Sequence, residues 1–201
     1  MGRRRTRGTE ASVPAGRGPA LAGHGALLAV VAALVLVAVV RWPLLDMPLE
    51  RDEGEYAYTG QLILQGVPPY QQAYNMKFPG TYYAYALAMA CFGETPRGIR
   101  LGLLLVNAGT TLLLFALGRR LLGGLGGALA AIAFALLTLD LWSMSLFAHA
   151  THFVLLPALA GLCLLSRVPA ARRWPRLLAA GILLGLAVLM KQHAFAFALL
   201  G

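Results

Sequence analysis

Residues 25–40 read Gly-Ala-Leu-Leu-Ala-Val-Val-Ala-Ala-Leu-Val-Leu-Val-Ala-Val-Val, without a single charged side chain. Such a run predicts a helix that crosses a lipid bilayer. Further apolar blocks follow at 99–118, 125–147, 153–166 and 177–201. Hydrophobic residues make up 59% of the 201 positions and charged residues only 12%, against about 25% charged in soluble domains. The pattern predicts an all-α fold, a polytopic bundle of about five transmembrane helices.

The basic residues predict the orientation of this bundle. Five of the 17 lysines and arginines fall within the Arg-, Gly- and Pro-rich segment 1–24, which we expect to be a disordered cytoplasmic tail. Arg119-Arg120 and the arginines within 167–176 are also expected on the cytoplasmic side. The net charge of +9 is therefore a topology signal rather than a nucleic-acid footprint. A multi-pass protein of the plasma membrane is predicted, with segment 43–98 as a large outer loop.

The short apolar block 80–92 decides how the loop rejoins the membrane. It is too short to span and contains Tyr82, Tyr83 and Tyr85, and tyrosine is typical of membrane interfaces. We predict a juxtamembrane helix on the outer surface, with an aromatic belt, and take 99–118 as the second span. The alternative, in which both blocks cross, would place Arg119-Arg120 outside.

Three carboxylates stand at the start of the outer loop, in the run Arg51-Asp52-Glu53-Gly54-Glu55-Tyr56. Residues 53–65 fit a second juxtamembrane helix that ends at Gly66, with Asp52 and Glu53 at its N-terminus, where the helix dipole favours negative charge. Carboxylates beside a membrane commonly accept protons or bind a cation.

The order of these features resembles the GT-C glycosyltransferases. The similarity is greatest to the integral-membrane branch with protein O-mannosyltransferases, aminoarabinose transferases and lipopolysaccharide galacturonosyltransferases. It rests on Asp52-Glu53, Gly66 with Pro69-Tyr70, Lys77 with Pro79, a following Arg-Leu span, and the run that ends at Lys191. The resemblance implies that 25–201 is the N-terminal part of a longer transmembrane domain. It also implies an enzyme that moves a sugar from a polyprenyl-phosphate donor to a lipid, glycan or protein acceptor on the outer face.

Residue roles follow from the same resemblance. Asp52 matches the loop carboxylate that takes the acceptor proton, with Glu53 as the second catalytic candidate, and Lys77 matches the residue that holds the donor phosphate. The substrate-binding candidates are Lys77, Glu55, Tyr56, Tyr70, His149 and Lys191. Metal dependence is left open, with Asp52 and Glu53 as candidate ligands of a divalent cation such as Mg²⁺ or Mn²⁺. The implied partners are the donor and membrane lipid.

Simpler interpretations remain open for several of these residues. Lys77 could anchor the loop at lipid headgroups, and Lys191 could snorkel to the outer surface. His149 and His152 are three residues apart, but two histidines rarely form a metal site. The alternative functions are a transporter or flippase of lipid-linked substrates, and a non-catalytic membrane subunit in which the carboxylates are dispensable.

Overall fold

The computed structural model describes residues 19–166 and 173–199, and within these ranges all regular structure is helical. The all-α prediction is confirmed. The helices are α1 (Pro19–Arg41), α2 (Arg51–Leu64), α3 (Gly80–Phe92), α4 (Pro96–Leu137), α5 (Ala150–Leu165), α6 (Arg173–Met190) and α7 (Phe195–Leu199), with 3-10 turns at Trp42–Leu44 and Gln192–Ala194.

Two predicted segments lie partly outside the residues that the structure describes. Most of the expected disordered tail, 1–18, lies outside the described residues, and its remainder, 19–24, belongs to α1. The arginines at 167 and 172 are also outside. Within the described ranges, His24–Leu44 and Pro96–Leu137 are long and apolar enough to cross a bilayer, whereas α5 and α6 are shorter apolar helices.

Helix α4 is a hairpin rather than one straight rod. Gly123 has φ 78° and ψ 176°, which breaks the helix into the arms 96–122 and 124–137. The arms touch backbone to backbone, since a Cβ on Gly118 would lie 2.9 Å from the Cα of Gly127. Glycine is required at this crossing because any side chain would push the arms apart. The second arm ends at Leu137, so the helix stops before the end of the apolar block 125–147.

The two ends of the bundle are defined by α5. Its N-terminal side reaches α2, since the Ala148 backbone N–H donates to Glu53. Its C-terminal side meets the hairpin turn, where the guanidinium of Arg120 donates to the Ser166 hydroxyl and to the Cys163 carbonyl. We call these the Asp52 end and the Arg120 end.

Helix α3 lies across the Asp52 end. Its first residue, Gly80, packs against the backbone of Leu189, and the Thr81 hydroxyl donates to the Met190 carbonyl at 2.8 Å. Further along, Ala88 packs against Gly102 near the start of α4. A helix of 13 residues is about 20 Å long, well short of the ~30 Å hydrocarbon core. Helix α3 is therefore too short to cross the hydrocarbon core by itself.

The tyrosines of α3 do not form the predicted belt. Tyr82 and Tyr85 are fully buried, and only Tyr83 is exposed. The two buried rings pack against Tyr56 of α2, with centroids 5.9 and 5.4 Å away. Spacing of three residues puts Tyr82 and Tyr85 on one helical face, and α2 covers that face. They are core residues, so the belt prediction was wrong for both.

The last predicted span, 177–201, is also wrong as a continuous helix. Helix α6 ends at Met190, and Lys191 is extended, with φ −160° and ψ 136°. The Met190 carbonyl, at the end of α6, accepts a hydrogen bond from the Thr81 hydroxyl of α3. Lys191 consequently sits at a helix end rather than inside a span.

Candidate active site

The N-terminus of α2 fixes the first carboxylates. Glu50 is the N-cap residue: its side chain accepts from the Asp52 backbone N–H, and the Glu53 side chain accepts from the Glu50 backbone N–H, both at 2.9 Å. This reciprocal capping box satisfies donors that a helix start leaves unpaired. The helix begins two residues before the predicted Glu53, and Asp52 and Glu53 both lie in its first turn, as expected.

Glu53 is a buried carboxylate whose oxygens are all occupied. Its exposed fraction is 0%, and it forms an ion pair with Arg100 at 3.1 Å. Its other oxygen accepts from the Ala148 N–H at 2.6 Å. Arg100 also donates to the carbonyls of Met47 and Pro48. Glu53 thus connects α2 to α4 and to the turn before α5, and this makes it a residue that positions the start of α2.

Lys77 lies over the first turns of α2. Its Nζ is 3.2 Å from Glu55 Oε2, 3.7 Å from Asp52 Oδ2 and 4.7 Å from the centre of the Tyr56 ring. Burial disfavours its charged form, but hydrogen bonding to Tyr56 and the nearby Glu55 outweigh this and raise the Lys77 pKa above its usual value. Lys77 therefore stays protonated and positively charged at neutral pH.

Glu55 organises the group around Lys77. Besides the lysine, its carboxylate accepts from the Tyr82 hydroxyl at 3.2 Å and from the Asn75 side-chain amide. Burial and the charge of Glu55 raise the pKa of Tyr82 well above 10, so this phenol stays a donor. Sequence reasoning missed Tyr82 and Asn75 as site residues. The three-residue spacing of Tyr82 and Tyr85 was the available signal for the tyrosine.

Tyr70 holds the loop that carries Lys77. Its hydroxyl donates to the Lys77 carbonyl at 2.7 Å, and its ring is 6.3 Å from that of Tyr82. Its backbone has φ 71°, a region that non-glycine residues seldom occupy and that marks local strain. The structure thus brings Asp52, Glu55, Tyr56, Tyr70 and Lys77 together in one cluster.

Asp52 differs from the two other carboxylates near the start of α2, Glu53 and Glu55. Its side chain is 32% exposed and meets only Lys77 and, at 3.9 Å, Arg51. Within 19–166 and 173–199, no hydrogen bond to its carboxylate oxygens is present, whereas Glu53 and Glu55 are saturated by donors. A group that takes a proton needs an unoccupied oxygen, and Asp52 alone of the three offers one.

A cation shared by Asp52 and Glu53 does not fit this arrangement. The Glu53 oxygens are committed to Arg100 and backbone N–H groups. The described part of the chain also contains no group of three or more His, Cys, Asp or Glu side chains suited to a metal. We therefore derive no chemical step through a cation at these two carboxylates.

His149 and Lys191 lie beside the cluster but not in it. Lys191 Nζ is 3.4 Å from the Thr151 hydroxyl, and His149 directly precedes α5. His152 is buried, with its Nδ1 2.9 Å from Asn107 Oδ1. The contact between Glu53 and Ala148 connects this second group to the first.

An apolar groove of about 790 Å³ opens next to Lys77. Helices α3, α4, α5 and α6 form its walls, with side chains such as Leu87, Leu105 and Leu156. Pro79 and Gly80 line it and follow Lys77-Phe78 in the chain. The charged cluster and the apolar groove are thus within a few residues of each other.

The chain matches a known protein family. The family described as dolichyl-phosphate-mannose-protein mannosyltransferase matches residues 76–200. The matched segment includes Lys77, His149 and Lys191 and begins after α2. No curated protein matches the chain, and no solved structure does.

Proposed function

Because the chain belongs to the dolichyl-phosphate-mannose-protein mannosyltransferase family of membrane proteins, and is therefore a glycosyltransferase of the GT-C type, we propose a specific reaction for it. It transfers a sugar from a polyprenyl-phosphate donor to an acceptor hydroxyl on the outer face of the plasma membrane. The observation that carries this proposal is the position of Asp52. Its carboxylate accepts no hydrogen bond from the described residues and lies 3.7 Å from the ammonium group of Lys77.

In the proposed step, Asp52 takes the proton of the acceptor hydroxyl as general base. The acceptor oxygen forms a bond to the anomeric carbon, and the bond from that carbon to the phosphate oxygen breaks. The electron pair leaves with the polyprenyl phosphate, and Lys77 counters the added negative charge. Tyr56 and Glu55 hold Lys77 in place for this role.

The groove beside Lys77 supports a lipid-linked donor. A polyprenyl chain is a long hydrocarbon, and an apolar groove can hold it away from water. A chain seated between α3 and α5 would bring its phosphate to the rim at Pro79 and Gly80, close to Lys77. The negatively charged phosphate of the donor would then lie near the Lys77 ammonium group, and its hydrocarbon chain would lie against the apolar groove.

The proposal is tested first at Lys77. We expect Lys77→Ala to raise the apparent donor KM about ten- to a hundredfold, because one charge-assisted contact of about 1.5–3 kcal/mol is lost. Lys77→Arg should keep part of the activity, since the charge remains while its geometry changes. The measurement is transfer from a polyprenyl-phosphate sugar by purified protein with native size-exclusion behaviour.

The matched control is Arg51→Ala, because Arg51 is a neighbouring cation whose side chain is 92% exposed. Its donor KM should stay within about twofold of wild type. A normal donor KM in well-folded Lys77→Ala, or a protein that fails to insert, would identify Lys77 as a headgroup anchor instead.

Orientation is tested by cysteine labelling in a Cys91→Ala/Cys163→Ala background. Gly124→Cys lies in the hairpin turn, where a Cβ meets nothing within 4 Å, and Trp142→Cys lies at the Asp52 end, 97% exposed. An impermeant maleimide should label position 142 in intact cells and position 124 only after permeabilisation. The reverse pattern would place the cluster on the cytoplasmic side.

A further inference from the structure

A second cavity, of about 390 Å³, lies at the Asp52 end between the end of α4, the turn before α5 and the end of α6. Ligand sites usually have volumes of about 300–1,000 Å³. Unlike the groove, it has several polar side chains in its wall. They are Ser143, Ser145, His149, Thr151, His152 and Lys191.

Among the described side chains that line this cavity, Lys191 carries the formal charge, and it is positive. No aspartate or glutamate is among the described residues that line it. Within the described ranges Lys191 forms no ion pair, and its one hydrogen bond, to Thr151, is long at 3.4 Å. Asp140, a nearby acid, accepts the Ser143 N–H at 2.8 Å. Lys77, by contrast, already faces two carboxylates.

The other polar groups of the wall suit an oxyanion. The hydroxyls of Ser143 and Ser145 are 2.7 Å apart and either can turn to donate outward. Thr151 stands in the first turn of α5, whose N-cap residue His149 supplies no side-chain cap. The positive end of this 16-residue helix adds to the charge of Lys191.

We propose that this cavity is a second oxyanion subsite, separate from Lys77, and that it binds a phosphate group on the acceptor. The identification of the bound molecule as acceptor rests on the proposed function, while the anion binding does not. Lys77 and Lys191 lie on two sides of one rim: Gly80 and Met190 line the groove between them, and Gln192 donates to the Met76 carbonyl at 3.2 Å. Donor and acceptor phosphates would then approach from opposite sides.

The test uses methyl phosphate, titrated into the full chain in dodecyl maltoside at low ionic strength and followed by ³¹P line broadening. The Lys77→Gln background removes the donor-side lysine. We expect saturable binding to persist in Lys77→Gln and to weaken at least about tenfold when Lys191→Gln is added, because a charge-assisted contact is lost. Lys191→Arg should retain it.

Two further variants separate a built site from general positive charge. Arg51→Gln, added to the same background, removes a cation that does not line the cavity and should leave methyl phosphate binding unchanged. Thr151→Val keeps every charge and should weaken binding severalfold. Equal binding with and without Lys191, or no saturable binding in Lys77→Gln, would overturn the proposal. If the Lys191 variant misfolds, unchanged binding in Thr151→Val decides against it.

Competition identifies the source of the phosphate. Dioctanoyl phosphatidic acid should displace methyl phosphate if the group is lipid-borne, and fail to do so if the acceptor is water-soluble; either result supports the subsite. This test is separate from the test of the proposed function. Wild-type protein that binds methyl phosphate through Lys191 but has no transferase activity would refute the proposed function and leave the subsite standing.

Discussion

Asp52→Asn should reduce sugar transfer by about 10²–10⁴-fold, the usual contribution of a general base, while the protein still inserts and unfolds like wild type. The amide keeps the shape of the carboxylate but cannot take the acceptor proton. Stability should change by less than about 1 kcal/mol, because the side chain is partly exposed and its ion pairs are long. Initial rates at saturating donor, with thermal unfolding in parallel, measure both effects.

The control for this variant is Asp46→Asn. Asp46 is another exposed carboxylate at the same end of the bundle, paired with Arg97 at 2.7 Å. Its replacement removes the same charge without touching the Lys77 cluster, so transfer should be normal. Wild-type rates in Asp52→Asn would remove Asp52 from the chemistry, and parallel losses in both variants would indicate a general effect of charge.

Glu53→Gln and Arg100→Met should each destabilise the fold by about 3–5 kcal/mol, because each leaves a buried charge without its partner. Both side chains are nearly inaccessible, at 0% and 3% exposure. Little folded protein should be recovered, and what is recovered should unfold at lower temperature. The measurement is the yield of monodisperse protein and its melting curve in detergent.

The double variant Glu53→Leu/Arg100→Met distinguishes positioning from catalysis. With both charges gone, its destabilisation should be smaller than the sum of the two single changes, since the residues are in direct contact. A Glu53→Gln protein that melts like wild type and is nevertheless inactive would contradict this expectation. It would restore Glu53 as a catalytic group, the role that the resemblance suggested for it.

The local sequence was enough to predict the helices that depend on local rules. The predicted block 80–92 and α3 coincide, and the first turn of α2 contains Asp52 and Glu53. Composition, capping residues and helical spacing act over a few residues, so they can be read directly from the chain. The apolar blocks likewise predicted an all-α fold.

Tertiary packing determines which side chains are buried and which helices contact each other, and local sequence rules do not predict either. Whether Tyr82 faces lipid or core depends on α2, whose Tyr56 packs against it. The end of α6 is likewise joined to another helix, because Thr81 of α3 donates to the Met190 carbonyl. In the same way, three carboxylates that look alike in sequence differ because Glu53 meets Arg100 and Glu55 meets Tyr82.

The amino-acid pattern alone therefore identifies a helical membrane protein with acidic and basic groups beside its apolar helices. Which carboxylate keeps an oxygen without a hydrogen-bond donor depends on the folded bundle, because donors 20 to 95 positions away in the chain bind the oxygens of Glu53 and Glu55. Contacts over such distances along the chain depend on how helices pack, and packing is a property of the whole bundle.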